Sequence, residues 1–424
     1  MHTQILSTQF FMRRFFILAV CSAITCSLHG MIDNRFRDPV LNHHAFVTQD
    51  ADTCNLFTAQ LFFETASHSI NGQGQEVPFF DYDTPFLLAK VNAAIVQAGL
   101  SPQSLIPSFW QGSLTVGSMH MTGHFETQGV AFHGYHIINN HWAVGIRGDL
   151  FHAHTHLELV PKSPFDNVLT GPGDMNELLS IIQNVDQTLG LHCRSWSAFI
   201  FDDVELYVRL FQQESYCYKC RFIDAGLALG LIVPAAPQRD INNPASLSLG
   251  GDGHWGMFLD ATVDAILRYD LRAGLWLRFQ QRFAQTDLLR VPTAQEPAIF
   301  GAVVGNFHVR PGFTFFFSPY LVKEGLREGF GLRVGYTLVK HFQDTFTDMR
   351  ADKTVPVNCI ALTEGSEWGQ DYITLGFLYD FAFGKVERSF EPVVSLLIDA
   401  PVNVLVAQRA ARTYGISLVM EANF

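Results

Sequence analysis

Apolar and polar residues alternate with period two over most of this chain. Leu271, Ala273, Leu275, Leu277 and Phe279 share one side of an extended segment, and Arg272, Trp276, Arg278, Gln280 and Arg282 share the other. Successive side chains of a strand point to opposite faces, so this pattern predicts a strand apolar on one face and charged on the other. Residues 254–267 repeat it, with Trp255, Met257, Leu259, Ala261, Val263 and Ala265 against Asp260, Thr262 and Asp264. Trp142, Val144, Ile146 and Leu150 oppose Ala143, Gly145, Arg147 and Asp149. Phe330, Leu332, Val334, Tyr336 and Leu338 oppose Gly331, Arg333, Gly335 and Thr337. The last stretch puts Tyr414, Ile416, Leu418, Met420, Ala422 and Phe424 on one side.

Such segments number about twelve, most of them longer than the ~9–11 residues that cross a bilayer at a tilt. They read as 112–125, 130–138, 141–157, 195–210, 216–233, 254–267, 271–283, 312–322, 330–341, 371–383, 389–399 and the terminal stretch. Long and short connections alternate between them. The long ones are 158–194, 234–253, 284–310, 342–369 and 400–410; the short ones are 139–140, 211–215, 268–270, 323–329 and 384–388. Asn139-Asn140 reads as a two-residue turn of a kind that tolerates positive φ. In the long connection 158–194, Met175, Leu178, Ile182, Val185 and Leu189 recur at helical spacing after an Asp174-Met-Asn-Glu177 start. Residues 31–110 look different. Thr84 as N-cap, Pro85, an apolar face of Phe86, Leu87, Leu88, Val91 and Ile95, and a stop at Gly99 predict one helix there. Residues 54–67 have strand character, but counting them makes the total odd.

Paired faces, alternating loop lengths and the terminal aromatic residue resemble the bacterial outer-membrane β-barrel proteins, porin-like and of no particular subfamily. The resemblance covers residues 112–424. It implies an all-β fold, an antiparallel up-and-down transmembrane β-barrel of about 12 strands with a small, partly helical N-terminal region. It also implies an outer-membrane location, the lipid bilayer and the barrel assembly machinery as partners, and Tyr414, Leu418 and Phe424 as the assembly signal. In such a barrel an even strand count returns both ends to the periplasm, so 31–110 is expected outside the wall, on the periplasmic side or partly in the lumen.

Composition agrees with this picture. No window has the roughly 20 uninterrupted apolar residues of a transmembrane helix, and a closed barrel is the other structure that satisfies every backbone group in lipid. Arg13-Arg14 followed by the apolar run Phe15–Thr25 reads as a secretory signal peptide over 1–30. The domains are then 1–30, 31–110 and 111–424. A net charge of −12 argues against nucleic acid as a partner. Cys54, Cys193, Cys217, Cys220 and Cys359 remain after processing, an odd number and no disulfide framework. Cys217 and Cys220 would point to opposite faces of a strand, which argues against a metal or redox pair.

The candidate functional surface is the inner face. Arg147, Asp149, Asp203, Glu205, Asp224, Asp260, Asp264, Arg272, Arg278, Arg282, Arg333, Asp380 and Glu391 fall on it, interleaved with glycines such as Gly145, Gly230, Gly335 and Gly376. Two readings stand. In one, these residues line a narrow water-filled channel for small polar solutes. In the other, they interlock as ion pairs inside a closed barrel that serves as an anchor or structural body. An enzyme on the barrel would need a nucleophile beside a base; no G-x-S-x-G and no spacing-defined Ser-His pair occurs, so no catalytic residue is assigned. His152, His154 and His156 share one strand face, with His120, His124 and His133 nearby. They suit a metal only if a neighbouring strand closes the site; otherwise they are polar residues above the bilayer, and no metal or cofactor is assigned.

Overall fold

In the computed structural model of the protein the described residues are 36, 55–81, 86–101, 104–107, 118–161, 175–192, 194–216, 220–267, 270–293, 296, 300–381 and 391–423. Twelve strands form the wall: β1 (Asn55–Ala66), β2 (Ser118–Asn139), β3 (Trp142–Pro161), β4 (Val204–Ser215), β5 (Cys220–Val233), β6 (Gly256–Leu267), β7 (Leu271–Arg282), β8 (Thr314–Arg327), β9 (Phe330–His341), β10 (Trp368–Asp380), β11 (Glu391–Val402) and β12 (Tyr414–Asn423). Each pairs antiparallel with its neighbour in sequence, and β1 pairs with β12 from Leu56↔Asn423 to Thr65↔Tyr414. The ring is therefore closed and has no free edge in the bilayer, the condition lipid imposes on a sheet. Twelve strands tilted by about 40° give a backbone radius of roughly 12 Å.

The number of strands is the expected one, but two of its members differ. Asn55–Ala66 is a wall strand, so the N-terminal region is not wholly outside the wall. The segments 112–125 and 130–138 are instead parts of one continuous strand, whose described portion runs from Ser118 to Asn139 and which pairs with β3 along its length. The reading 195–210 splits at Asp202-Asp203. Its first part, Ser195–Phe201, pairs with the upper half of β3, and β4 pairs with the lower half. The long connections all leave one end of the barrel, and the described residues between β1 and β2 lie at that end too. The Asn139 turn also differs from expectation: the loop residues are Asn140 and His141, and neither asparagine has positive φ. Asn139 Oδ1 accepts from the amides of His141 and Trp142, at 2.9 and 3.0 Å, and so turns the chain with its side chain. Positive φ is used instead at Glu328-Gly329, the two-residue loop between β8 and β9.

The outer face is an apolar belt. Phe57, Leu61 and Phe63 on β1, Ile373, Leu375 and Phe377 on β10, and Tyr414, Ile416, Leu418 and Met420 on β12 are all exposed. Burial by neighbours cannot explain exposed side chains of this size on every strand; lipid contact does. On the inner face, aromatic rings lie flat on glycines of the adjacent strand. Tyr207 covers Gly145 and Tyr320 covers Gly274, and a β-carbon built on either glycine would overlap the ring. Small residues there let large rings fill the lumen without spreading the wall.

Two helices cap the long-loop end. α1 (Leu88–Gln97) starts after an extended Phe86–Leu87 pair and stops before Gly99, whose φ is 69°. Thr84 and Pro85, the expected start, lie outside the described residues. α2 (Met175–Leu189) buries Leu178, Ile182, Val185 and Leu189 against Leu88, Val91 and Ile95 of α1 and against Met119, Leu159 and Phe300. Its stripe is thus covered by a second helix and by the long-loop ends of β2 and β3, at Met119 and Leu159. The strands Gln285–Val291, Val303–Arg310 and Thr345–Asp348 form a separate small sheet at the same end, with helix α3 (Cys359–Ser366) packed on it. A closed ring of this kind resists dodecyl sulfate until heated, so unboiled protein should run ahead of boiled protein on a gel. Recovery as a soluble periplasmic monomer would contradict the apolar belt.

Candidate functional site

Period two carries the inward residues of β3, β4, β6 and β7 to one level of the lumen, and there they meet. Arg278 Nε and Nη2 donate to Asp260 at 2.7 and 3.0 Å, and its Nη1 and Nη2 donate to Glu205 at 2.6 and 2.8 Å. Arg147 Nη1 reaches both carboxylates, at 3.2 Å from Asp260 and 3.3 Å from Glu205. Two guanidiniums and two carboxylates make a neutral quartet. Asp260 is 2% exposed and Glu205 17%, so the quartet is largely shut off from water. The Arg278 guanidinium also lies over the Phe258 ring, 4.0 Å from its centre.

Toward the short-turn end, Arg209 pairs with Asp224 and donates to Tyr135 Oη at 3.1 Å and Thr262 Oγ1 at 3.2 Å. Tyr320 donates to Asp264, and Arg333 lies over the Tyr320 ring at 4.5 Å. Arg272 pairs with Glu324 at 3.1 Å, and Thr374 donates to Asp399 at 2.6 Å. Asp149 and Asp380 are half-buried on the inner face. Glu391 stands opposite Asn423 in the register, and its side chain lies outside the described residues, as does Phe424. The inward set is thus placed on the inner face for every described member, and Tyr414 and Leu418 on the outer. Arg209 is an inward residue that sequence reading passed over. It continues the parity of Asp203, Glu205 and Tyr207, and that signal was sufficient to find it.

Toward the long-loop end the lumen holds a loop. Between β5 and β6, Ala236, Ala245, Leu247 and Leu249 are buried against the inward Phe62 of β1, Phe125 of β2, Phe151 of β3 and Ile200. One carboxylate fastens both ends of this segment. Asp203 Oδ1 accepts from the amides of Ala235 and Ala236 at 3.0 and 3.1 Å, and Oδ2 accepts from Gly251 at 2.8 Å. Arg282 pairs with the same carboxylate and donates to His254 O at 2.8 Å. The loop that folds inward is therefore 234–255. In the cap above, burial pushes the Asp186 carboxyl up from its usual range, although Arg194 beside it acts in the opposite direction. Arg194 holds Asp186 through Nη2 at 2.7 Å.

Several hydroxyls lie beside an imidazole, among them Ser67 at 2.9 Å from its neighbour His68, and two more arrangements resemble catalytic pairs. Ser197 Oγ lies 2.9 Å from His152 Nε2 on the outer face, a pairing that spacing did not reveal. No described residue bonds the other ring nitrogen of His152, so the base has no orienting partner. His341 bonds Thr314 at 2.9 Å and Asp344 at 3.1 Å, but all three are buried and out of reach of any substrate.

The closed ring, the apolar belt and the alternation of long and short connections decide the class. The architecture is that of a bacterial outer-membrane β-barrel. No protein-family model and no curated protein matches the chain. Among solved structures, an outer membrane channel from Pseudomonas putida F1 is similar with a TM-score of 0.49 at 9% identity, over 92% of this chain and 100% of that one. The translocator domain of the autotransporter NalP from Neisseria meningitidis gives 0.32 at 8%, over 91% of each chain. The Ralstonia pickettii toluene transporter TbuX gives 0.33 at 9%, over 88% of this chain and 89% of that one. The likeness is one of barrel shape.

Proposed function

We propose that the protein is a narrow outer-membrane channel for small polar solutes, held shut in this conformation by the 234–255 loop. The observation that carries the reading is the difference between the two halves of the lumen. Along β3 to β7 the inner face is sealed by the quartet and by Arg209–Asp224. Along β8 to β12 large side chains such as Phe316, Tyr320 and Tyr372 are buried too, but several inward polar or small residues stay half-open: Glu324 is 33% exposed, and Ser395, Asp399, Gly415 and Glu421 are half-buried. Carboxylates predominate in that half, with Arg333 and the nearby Arg272 opposing them. A field with both signs across a narrow gap orients polar solutes and rejects apolar ones. The loop is anchored by polar groups at its ends, and such anchors can be released by competing water or ligand. In this reading the long loops face outward, residues 1–30 are removed on export, and Tyr414, Leu418 and Phe424 present the terminal strand to the assembly machinery.

The quartet favours a second reading, a closed barrel whose interior is an ion network and whose role is structural. Planar-bilayer recording separates the two. Purified, refolded protein should show rare, small openings, and protein lacking 237–249 should conduct steadily. No conductance from the shortened, correctly folded protein would leave the closed body as the answer.

A further inference from the structure

We propose that His124, His154 and His156 form a binding site for a divalent transition metal ion, Zn²⁺ by its chemistry, on the outer face of the β2–β3 hairpin above the membrane. The strand period puts His154 and His156 on one face while Thr155 between them is buried facing inward. The register supplies the third ligand from the adjacent strand: His124 stands opposite His156, and Glu126 stands opposite His154. Residues directly opposite have Cβ atoms about 4.5–5.5 Å apart, so the three imidazoles surround one patch of surface.

The ring positions agree with one shared ion. The His124 ring centre is 5.6 Å from that of His154 and 5.7 Å from that of His156. A Zn–N bond is about 2.0–2.1 Å, so two imidazoles on one tetrahedral ion have ring centres roughly 5–5.5 Å apart. Side-chain rotations are required to bring the three nitrogens round one ion, because among the described residues no three donors already surround one point. None of the three imidazoles is held by a hydrogen bond to another described residue, and all are at least partly exposed, so the rings are free to turn. Glu126 is exposed beside them and is the fourth donor, or leaves that position to water.

The site also lies outside the hydrocarbon. β1 ends at Ala66 opposite Phe125, so His124 stands just past the closed ring. Below it on β3 the exposed apolar residues Trp142, Val144, Ile146 and Leu150 end before His152. Neutral imidazole is a good ligand for Zn²⁺, and three nitrogens on rigid adjacent strands favour a tetrahedral ion over the oxygen-seeking Mg²⁺ or Ca²⁺.

The test uses untagged, metal-free protein in detergent micelles and Co²⁺ as the probe. Wild-type protein should bind one equivalent with the intense visible bands of a tetrahedral site, and Zn²⁺ should displace it. His124→Asn and His156→Asn should each abolish those bands, while His120→Asn and His152→Asn should keep them. Heat-modifiable migration checks that every variant is folded. Absence of tetrahedral bands in folded wild-type protein, or bands that survive the His124→Asn/His156→Asn double variant, would overturn the proposal.

Discussion

Replacing Asp203 by alanine should leave the barrel assembled and make it conduct. Asp203 sits at the break between Phe201 and Val204, where the lower strand takes over from the upper one. Its carboxylate holds both ends of the 234–255 loop through the amides of Ala235, Ala236 and Gly251, and it also pairs with Arg282. Alanine strands three amides in a nearly dry site and takes the carboxylate away from Arg282, which keeps His254 O. Removing one partner of a buried ion pair costs about 3–5 kcal/mol. The loop bears this cost, because the β4–β5 register from Val204↔Val233 to Ser215↔Phe222 uses no side chain of Asp203. The loop should therefore leave the lumen while the ring stays closed. Planar-bilayer recordings should show conductance well above wild type, with heat-modifiable migration unchanged. Asp203→Asn keeps part of the acceptor capacity and should fall between the two. A folded Asp203→Ala barrel with wild-type conductance would show that 234–255 is not the gate.

The wall was legible in the sequence because lipid keeps the outward positions apolar from strand to strand, while the inward ones mix charged, small and aromatic residues. Leu271–Arg282 and its partner strand were read with the correct faces for that reason. Legibility failed where the strand leaves the hydrocarbon. Between Phe125 and Val130 the outward residues are Glu126 and Gln128, and the inward ones are Thr127 and Gly129. Polar residues on both faces look like a turn, but in β2 they continue the strand past the apolar belt. Two segments, 112–125 and 130–138, are thus one strand, and Asn55–Ala66 is the strand that completes the even count.

The lumen was legible by parity and not by partner. Period two points Arg147, Asp260 and Arg278 inward, but Arg147 meets Asp260 across 113 residues and Glu205 across 58. Those separations are set by the strand registers, which depend on the turns and on the Gly145–Tyr207 contact. The loop that enters the lumen is hidden in the sequence for a related reason. The 174–189 helix has a strong apolar stripe, and a stripe shows that something covers it without saying what; α1 does. The 234–255 loop has no period at all. Its Ala, Leu and Gly residues fit the lumen because they are small or apolar, and only Asp203 and Arg282 reveal where its ends are tied.

Arg278→Met should be among the most destabilising single changes in the wall. It removes four hydrogen bonds and leaves Glu205 and Asp260 facing each other with Arg147 alone, at 3.2 and 3.3 Å. Where water is excluded, the stranded carboxylate costs about 3–5 kcal/mol, a factor of roughly 10² to 10³ or more in the folding equilibrium. The midpoint of heat or urea unfolding in detergent should fall accordingly. Arg278→Met combined with Asp260→Leu removes one charge of each sign and keeps the Arg147–Glu205 pair. That double variant should recover most of the loss, because a buried ion pair replaced by apolar residues of similar size is often neutral. The size of the single-variant loss also reports on the lumen itself. A water-filled passage at this level would solvate the freed carboxylate and shrink the loss to less than about 1 kcal/mol, as at exposed pairs. A large loss, recovered by the double variant, places the quartet in a dry half of the barrel and confines any solute path to the β8–β12 side. A small loss would mean that water reaches the quartet, and the path would then run past Arg278.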